Sequence, residues 1–350
     1  MISLCMIVKN EEENLPKCLN SIKSKVDEII IVDTGSTDKT MEVAKRYTDK
    51  VFNFEWCDDF SAARNFSINK AKNDWILILD ADEVVNFFNK KDISRFINKN
   101  KNVVGRIKRI NTFEDSSGKK KFFERVNRLF NKKFFKYEGI IHEQVVSITG
   151  ENYTTENIDV YANHIGYEKE ILNRTNKIKR NKELLEKAIE MASDDPYLQY
   201  QLGKTFFMEK DYVKAEVNLS TAIRLGIDAK YEYVQDLIES YGYTLINLKK
   251  YKEALILKKY EEFYNSKSDF NFVMGLIYMN NAMFKEAVNK FIQCQNSKEC
   301  KIEGVNSYLA NYNIGVIYEC LGILNEAVKY YKKCGNYKLA VGRIKAIKLI

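Results

Sequence analysis

The sequence holds only two histidines, two tryptophans and two prolines in 350 residues, and no run of 18 consecutive apolar side chains. Without such a run no segment reads as a membrane span. Its seven cysteines are odd in number and include no C-x-x-C pair. That pattern argues against a disulfide framework or a zinc site and for reduced thiols in a cytoplasmic chain, Cys294 and Cys300 included. The largely apolar start, Met1 to Val8, runs straight into Lys9-Asn10-Glu11-Glu12-Glu13 and reads as a strand rather than an export signal. No glycine-rich phosphate loop follows that strand, so nucleotidyl transfer lacks support.

With 45% apolar residues the chain can bury a substantial core, and its length suggests about two domains. The net charge of +8 is modest, but between Lys99 and Lys136 there are 13 Lys and Arg against 3 Asp and Glu. Such a stretch either attracts a diphosphate or acidic acceptor, or is a solvated hairpin face with Lys119-Lys120-Lys121 at its tip. It contains no recognisable nucleic-acid module, so nucleic acid is not expected as a partner.

Apolar strands alternate with amphipathic helices up to about residue 110: strands are predicted at 2–8, 28–32, 50–54 and 75–79, and helices at 11–24, 37–47 and 61–71. This alternation predicts a parallel sheet covered by helices. Residues 103–110 and 121–147 read as strands of an antiparallel extension, and a helix is predicted from about 168 to 190. From Asp194 onward every element reads helical. Gly203, Gly242, Gly275 and Gly315 each precede an alanine at one constant offset, at Ala215, Ala254, Ala287 and Ala327. Small residues repeated at a period of roughly 34 residues resemble tetratricopeptide repeats, whose paired helices approach closely; the alternative is an irregular helical bundle. The first and third intervals between successive glycines exceed that period, which implies longer loops or helices in two places.

Three segments carry chemistry. Asp80-Ala81-Asp82 ends the apolar run Trp75 to Leu79, aiming two carboxylates off a buried strand into the crevice where α/β sheets bind ligands. Hard oxygen donors of this kind suit Mg²⁺ or Mn²⁺ bridged to substrate phosphates. Asp33-Thr34-Gly35-Ser36-Thr37-Asp38 follows another strand. There Asp33 is placed to accept from a base or ribose and Gly35 permits close backbone approach, while Ser36 or Thr37 is an equally natural helix cap. Arg64, on the next predicted helix, either reaches a phosphate with its guanidinium fork or pairs with Asp58 or Asp59 at the surface.

In order and spacing, IVKNEE, IVDTGSTDKT, FEWCDDFSAARN and ILDADE resemble a family 2 glycosyltransferase of the GT-A, or nucleotide-diphospho-sugar transferase, fold. The segments Tyr137-Glu138-Gly139-Ile140-Ile141-His142-Glu143 and His164-Ile165-Gly166-Tyr167, followed by helical repeats, are similar to bacterial enzymes of this family that carry tetratricopeptide repeats. Peptide S-glycosyltransferases of glycosylated bacteriocins are among them. The resemblance implies an α/β GT-A catalytic domain over 1–167, a helical linker over 168–193 and an all-α repeat domain over 194–350. It implies that Asp33 contacts uracil or ribose, Arg64 the diphosphate, Asp80 the ribose or a metal-bound water, and Asp82 the metal. Val8, Asn10, Glu11, Gly35 and Ala81 would line the nucleotide-sugar side. Thr34 stands where many members carry a second Asp, which leaves the base contact to Asp33.

Both histidines fall in the last two segments. Transfer with inversion needs a base for the acceptor proton, assigned here to Glu143 with His142 as runner-up, while His164 either completes the metal shell or is structural. The expectation is a Mn²⁺- or Mg²⁺-dependent enzyme moving a hexose from a UDP-sugar to a Cys, Ser or Thr of a polypeptide held by the repeats, which alternatively brace the catalytic domain or form a homodimer. Its rivals are a lipid-linked or polysaccharide acceptor, and a non-catalytic repeat scaffold with an inactive transferase domain.

Overall fold

The computed structural model describes residues 1–99, 101–115, 118–165, 171–297 and 299–347. The chain forms two units, one of Met1–Phe113 with Lys121–Leu184, the other of Glu114–Lys120 with Leu185–Ile350.

The first unit opens with β1 (Ile2–Val8), α1 (Leu15–Ile22), β2 (Glu28–Asp33), α2 (Thr40–Lys45), β3 (Val51–Asn53), α3 (Phe60–Lys70) and β4 (Trp75–Ile78). The order is the predicted one, but two helices are shorter than expected. In α1 the proline enters the first turn, where its missing N–H is not needed, and Glu11 to Asn14 form a turn instead of helix. In α2 the chain from Asp33 to Lys39 is held as a loop by side chains of the β1 loop. β5 (Glu83–Phe88), α4 (Lys90–Lys99), β6 (Val103–Asp115), β7 (Gly118–Asn131), β8 (Phe135–Glu138), β9 (Gln144–Ser147), β10 (Thr154–His164) and α5 (Ile171–Met191) follow. β5 and α4 were not predicted.

Eight strands form one sheet in the order β3-β2-β1-β4-β7-β6-β10-β5. The first four are parallel, β4 pairs antiparallel with β7, and β10 runs parallel to β6 and antiparallel to β5. The extension is therefore mixed, where antiparallel strands were expected. Even-numbered residues of β1 (Leu4, Met6, Val8) pack with Leu15, Leu19 and Ile22 of α1, and Cys5 packs with Ile68 of α3 on the other face. With both faces covered, β1 reads as an apolar run broken only by the buried Ser3. Burying each of these leucines and isoleucines contributes roughly 1.5–3 kcal/mol. Val8 pairs with Asp33, and β2 and β4 flank β1 on opposite sides. The chain thus reverses its direction of strand addition at β1, and the carboxyl ends of these strands open a crevice there.

The second unit is helical: α6 (Pro196–Met208), α7 (Tyr212–Arg224), α8 (Glu232–Asn247), α9 (Tyr251–Ala254), a 3₁₀ stretch Leu255–Tyr260, α10 (Glu261–Tyr264), α11 (Ser268–Asn280), α12 (Phe284–Gln293), α13 (Tyr308–Cys320), α14 (Leu324–Lys332) and α15 (Lys338–Ile347). The four glycine-to-alanine pairs fall on successive helix hairpins, and all four alanines are fully buried. A side chain on Gly203, Gly275 or Gly315 would strike Leu219, Phe291 or Tyr331, always at the same separation along the chain. One on Gly242 would meet Leu257, a position nearer in sequence. The 3₁₀ stretch explains that shift, because its tighter winding advances the helix face. The long intervals correspond to the connections between α7 and α8 and between α12 and α13. The latter holds a 3₁₀ turn, Cys294–Asn296, and the buried Val305.

No helix among the described residues is long and apolar enough to cross a membrane. All seven cysteines are free thiols; Cys57 and Cys320 are exposed, Cys300 is half-buried, and Cys5, Cys18, Cys294 and Cys334 are buried.

Candidate active site

At the β2 end, Asp33 is buried and its Oδ2 accepts from the amides of Gly35 and Ser36, both at 3.0 Å. Its Oδ1 is buried with no hydrogen-bond partner in the protein. Gly35 is needed for the backbone, which turns through φ +99° there. Thr34 turns inward: its amide and hydroxyl both donate to the carbonyl of Val8, at 2.9 and 3.1 Å. The residue that replaces a second acidic side chain therefore closes the strand end. Asn10, at φ 56°, accepts from Thr37 N at 2.7 Å through Oδ1 and donates its own amide to Ser36 Oγ at 2.9 Å. The Glu11 amide donates to Thr40 Oγ1 at 2.7 Å. These bonds lace the loops after β1 and β2 together. Neither Ser36 nor Thr37 caps α2, which begins at Thr40, where the Asp38 carboxylate accepts the amide at 2.9 Å.

At the β4 end, Arg64 is buried and forms neither of the ion pairs considered for it, with Asp58 or Asp59. Asp59 instead caps α3 through the Ala62 amide. Arg64 Nη2 donates to Asp80 Oδ1 at 2.9 Å and its Nε to Glu143 Oε1 at 2.5 Å. Arg128 Nη2 donates to Asp80 Oδ2 at 2.6 Å and to Glu83 Oε1 at 3.0 Å. Burial pushes the Asp80 carboxyl up, but Arg128 and Arg64 outweigh it and hold the group well below the usual carboxylate range. Burial likewise opposes charge on both arginines, and their carboxylate partners more than offset it. The 137–143 segment is fixed to α3 by Asn65, which exchanges two hydrogen bonds of 2.9 Å with the backbone of Tyr137. The Arg64 guanidinium lies 5.5 Å from the centre of the Tyr137 ring. His142 adopts φ 50°, a conformation rare outside glycine, one residue before Glu143.

Asp82 and His164 form the third group, with His164 Nε2 3.1 Å from Asp82 Oδ2 and Nδ1 2.7 Å from Asn111 Oδ1. The β5-β10-β6 register sets this up by aligning Glu83, His164 and Asn111 across adjacent strands. Asn111 Nδ2 donates to Glu124 Oε1 at 2.5 Å, which also accepts from Arg109 Nε at 3.0 Å. Ala81 is buried in the core and lends no side chain to the crevice. Among the described residues no cluster of three or more His, Cys, Asp or Glu converges as a metal site. A carboxylate oxygen and an imidazole nitrogen nevertheless suit Mn²⁺ completed by phosphate oxygens, since such ions take one or two protein ligands. Both Asp80 oxygens carry a guanidinium, so the pair that fits a cation is Asp82 with His164. Gly166 and Tyr167 of the second histidine segment lie outside the described residues.

Nothing in the order of residues singles out Arg128, Glu83, Arg109, Glu124 or Asn111. Their one signal is polarity at strand positions that neighbour the acidic turn, visible only with register. They also recast the basic stretch, because Arg109 and Arg128 neutralise Glu83, Asp80 and Glu124 within the unit. The stretch is thus neither a bare anion attractor nor wholly a solvated face. A depression of about 460 Å³ lined by Lys23, Asp27, Glu28, Lys50 and Lys72 contains none of the site residues.

Residues 3–150 match the family described as glycosyl transferase family 2. Residues 3–150 of the first unit thus carry a family 2 glycosyltransferase domain, and the helix hairpins of the second unit, with their glycine contacts and buried alanines, resemble tetratricopeptide repeats. A TPR repeat-containing protein of Synechococcus elongatus is 33% identical over 233 residues, covering 64% of this chain and 57% of that protein. The SPbeta prophage-derived glycosyltransferase SunS of Bacillus subtilis is 30% identical over 241 residues, covering 62% and 53%. An uncharacterized glycosyltransferase of Rickettsia felis is 31% identical over 154 residues, covering 41% and 54%. The chain spans about half the length of these curated relatives. Among solved structures, YrrB, a TPR protein with an unusual peptide-binding site, aligns with a TM-score of 0.42 at 23% identity over 50% of this chain and 87% of its own.

Proposed function

We propose that the first unit transfers a hexose, with inversion, from a UDP-sugar to a Cys, Ser or Thr side chain of a polypeptide in the cytoplasm, aided by Mn²⁺ or Mg²⁺. One observation carries this: among the described residues, buried polar atoms of Asp33, Arg64, Arg128 and Tyr137 lack hydrogen-bond partners in the protein. Three are donors, Arg64 Nη1, Arg128 Nε and Tyr137 OH, and one is an acceptor, Asp33 Oδ1. Each unpaired buried group costs about 1–3 kcal/mol, so a complementary ligand is favoured. That ligand is anionic at one end and carries an N–H or O–H at the other, as a nucleoside diphosphate does.

In this arrangement Asp33 accepts from the base or ribose, and Arg64 and Arg128 donate to the diphosphate, their forks oriented by Asp80. Asp82 and His164 hold the divalent ion, which supplies charge neutralisation to the departing diphosphate. Glu143, whose Oε1 is taken by Arg64, takes the acceptor proton on Oε2, and His142 positions the acceptor. The peptide acceptor draws on the resemblance to peptide S-glycosyltransferases and on the repeat helices, which suit extended peptides. A lipid-linked acceptor drew on the basic stretch, whose internal neutralisation weakens that case.

The test is thermal stabilisation of the purified chain by UDP, GDP and several sugar nucleotides, with and without Mn²⁺. Stabilisation by a UDP-sugar only with metal, lost in Asp82→Asn and Asp33→Ala, is expected; at a hundredfold excess over Kd it amounts to about 2.7 kcal/mol. No shift with any nucleotide would move the protein to the scaffold class.

A further inference from the structure

The connection between α12 and α13 does not stay beside the two helices it joins. It spans 294–307, where the connection between α10 and α11 spans only 265–267, and its middle lies on the first helices of the second and third hairpins. The amides of Lys301 and Ile302 donate to Asp269 of α11, to Oδ2 at 2.8 Å and to Oδ1 at 3.1 Å. Lys301 Nζ donates to Glu239 Oε2 of α8 at 2.9 Å and to Asp236 Oδ1 at 3.4 Å. Asp236 Oδ2 in turn accepts from Tyr200 OH and Lys204 Nζ of α6, at 2.6 and 2.7 Å. α6 packs on α8 and α8 on α11, so hydrogen bonds join these side chains into one array across three helices. Two successive main-chain amides and an ammonium are what an extended peptide with a basic residue presents. The seated segment therefore displays the ligand chemistry that this face accepts.

The same connection divides into a fixed part and a part that can leave. Val305 is buried, and the amides of Ser307 and Leu309 donate to the Gly304 carbonyl at 3.0 and 2.9 Å, which ties the chain from 304 onward to α13. Gly304 turns at φ +90°, where a Cβ would strike the Tyr308 ring. Ahead of it, Ile302 is half-buried, so lifting 299–303 uncovers little core. The side chains of Lys301 and Asp236 keep 22% and 18% of their surface exposed, which puts their ion pair within reach of solvent. Removing Lys301 alone would leave the buried Glu239 without its cation, so exchange for another cation is favoured over simple opening.

We propose that residues 299–303 are a built-in occupant of a peptide site on α6, α8 and α11, and that an extended peptide carrying lysine or arginine displaces them by exchanging its own cation for Lys301. This deepens the reading that the repeats hold a polypeptide, and rests on it.

The experiment uses the full chain and two fluorescein-labelled peptides, one alternating serine with arginine and the other serine with glutamate. Binding is read by fluorescence anisotropy in the wild type and in Lys301→Met, which keeps the aliphatic stem. An internal occupant lowers apparent affinity by the fraction of chains it leaves open, so the arginine peptide should bind Lys301→Met about 10-fold or more tightly than wild type. Adding Asp236→Asn to Lys301→Met should remove that gain, and the glutamate peptide should bind neither form. A second arm needs no variant: saturating unlabelled arginine peptide, which acetic anhydride leaves unmodified at its side chains, should speed acetylation of Lys301 in the wild-type chain about 10-fold, read by mass spectrometry. Equal affinity in wild type and Lys301→Met, equal binding of the two peptides, or a bound peptide that leaves Lys301 acetylation unchanged would overturn the proposal alone. No binding of either peptide to either form would overturn the peptide reading of the repeats, and the proposal with it.

Discussion

Arg128 on β7 and Asp80 after β4 meet across an antiparallel strand pair, joined by a 2.6 Å hydrogen bond between a buried guanidinium and a carboxylate open to the crevice. The register explains it. Leu77 sits opposite Leu129, so the next residue of β7 toward the crevice, Arg128, lies beside the end of β4. Its second partner, Glu83, is fully buried.

Removing this guanidinium should therefore destabilise the fold as well as the site. Arg128→Met is expected to lower unfolding free energy by about 3–5 kcal/mol, the range for breaking a buried pair from one side. Urea denaturation reads this directly. A loss below about 1 kcal/mol would show that Arg109 and Arg64 suffice to hold the carboxylates.

Glu143→Gln separates chemistry from binding. It keeps a carbonyl oxygen for Arg64 and removes the proton acceptor, so kcat should fall by about 10²–10⁴ while the affinity for the sugar nucleotide is kept. Weakened nucleotide affinity with normal turnover would take the base role from this residue.

The repeat glycines should respond with opposite signs according to their surroundings. A Cβ on Gly275 or Gly315 would lie 2.6 Å from the ring of Phe291 or Tyr331, whereas one on Gly342 in α15 meets nothing within 4 Å. Alanine at either of the first two should destabilise by about 1–3 kcal/mol through overpacking. At Gly342 it should stabilise by about 0.5–1 kcal/mol through the helix backbone. Thermal melts of the three variants check this, and stabilisation at all three would remove the glycines as contact points.

A pH dependence should come from Glu239 on α8. It accepts from Gln235 at 2.6 Å and from Lys301 at 2.9 Å. Burial, with Asp269 of α11 and Asp236 beside it, outweighs Lys301 and pushes the carboxyl up to about 7. Lys301 is shared with Asp236, which is also held by Lys204 of α6, so the proton goes to Glu239. The folded state binds that proton more tightly than the unfolded chain. Its contribution is thus complete below about pH 4.5, declines as pH rises, and is gone above about 7, an effect of about 3 kcal/mol. Glu239→Gln should flatten the decline in unfolding free energy between pH 5 and 7; parallel wild-type and variant curves would refute the assignment.

The parallel half of the sheet and the repeat hairpins were legible because burial leaves a regular mark: largely apolar runs in β1, β2 and β4, and glycine and alanine at a fixed offset in the repeats. β5 was missed because Glu83 and Asn86 break its apolar pattern, and Glu83 is polar for the sake of two arginines far away in sequence. Asp33, Arg64, Asp80 and Asp82 could be singled out from strand ends and motif order. Arg128 and Asn111 could not, since each gains its meaning from the strand lying opposite.

The distribution of thiols has a practical consequence. Cys57 is exposed on the first unit and Cys320 on the second, while four others are buried and the burial of Cys5 and Cys294 also pushes their thiols up, away from the reactive thiolate. Replacing the half-buried Cys300 by serine would leave one accessible attachment point per unit. A donor and acceptor dye could then be placed on an otherwise native chain, making the separation of the two units, and any change in it when a sugar nucleotide arrives, a directly observable distance.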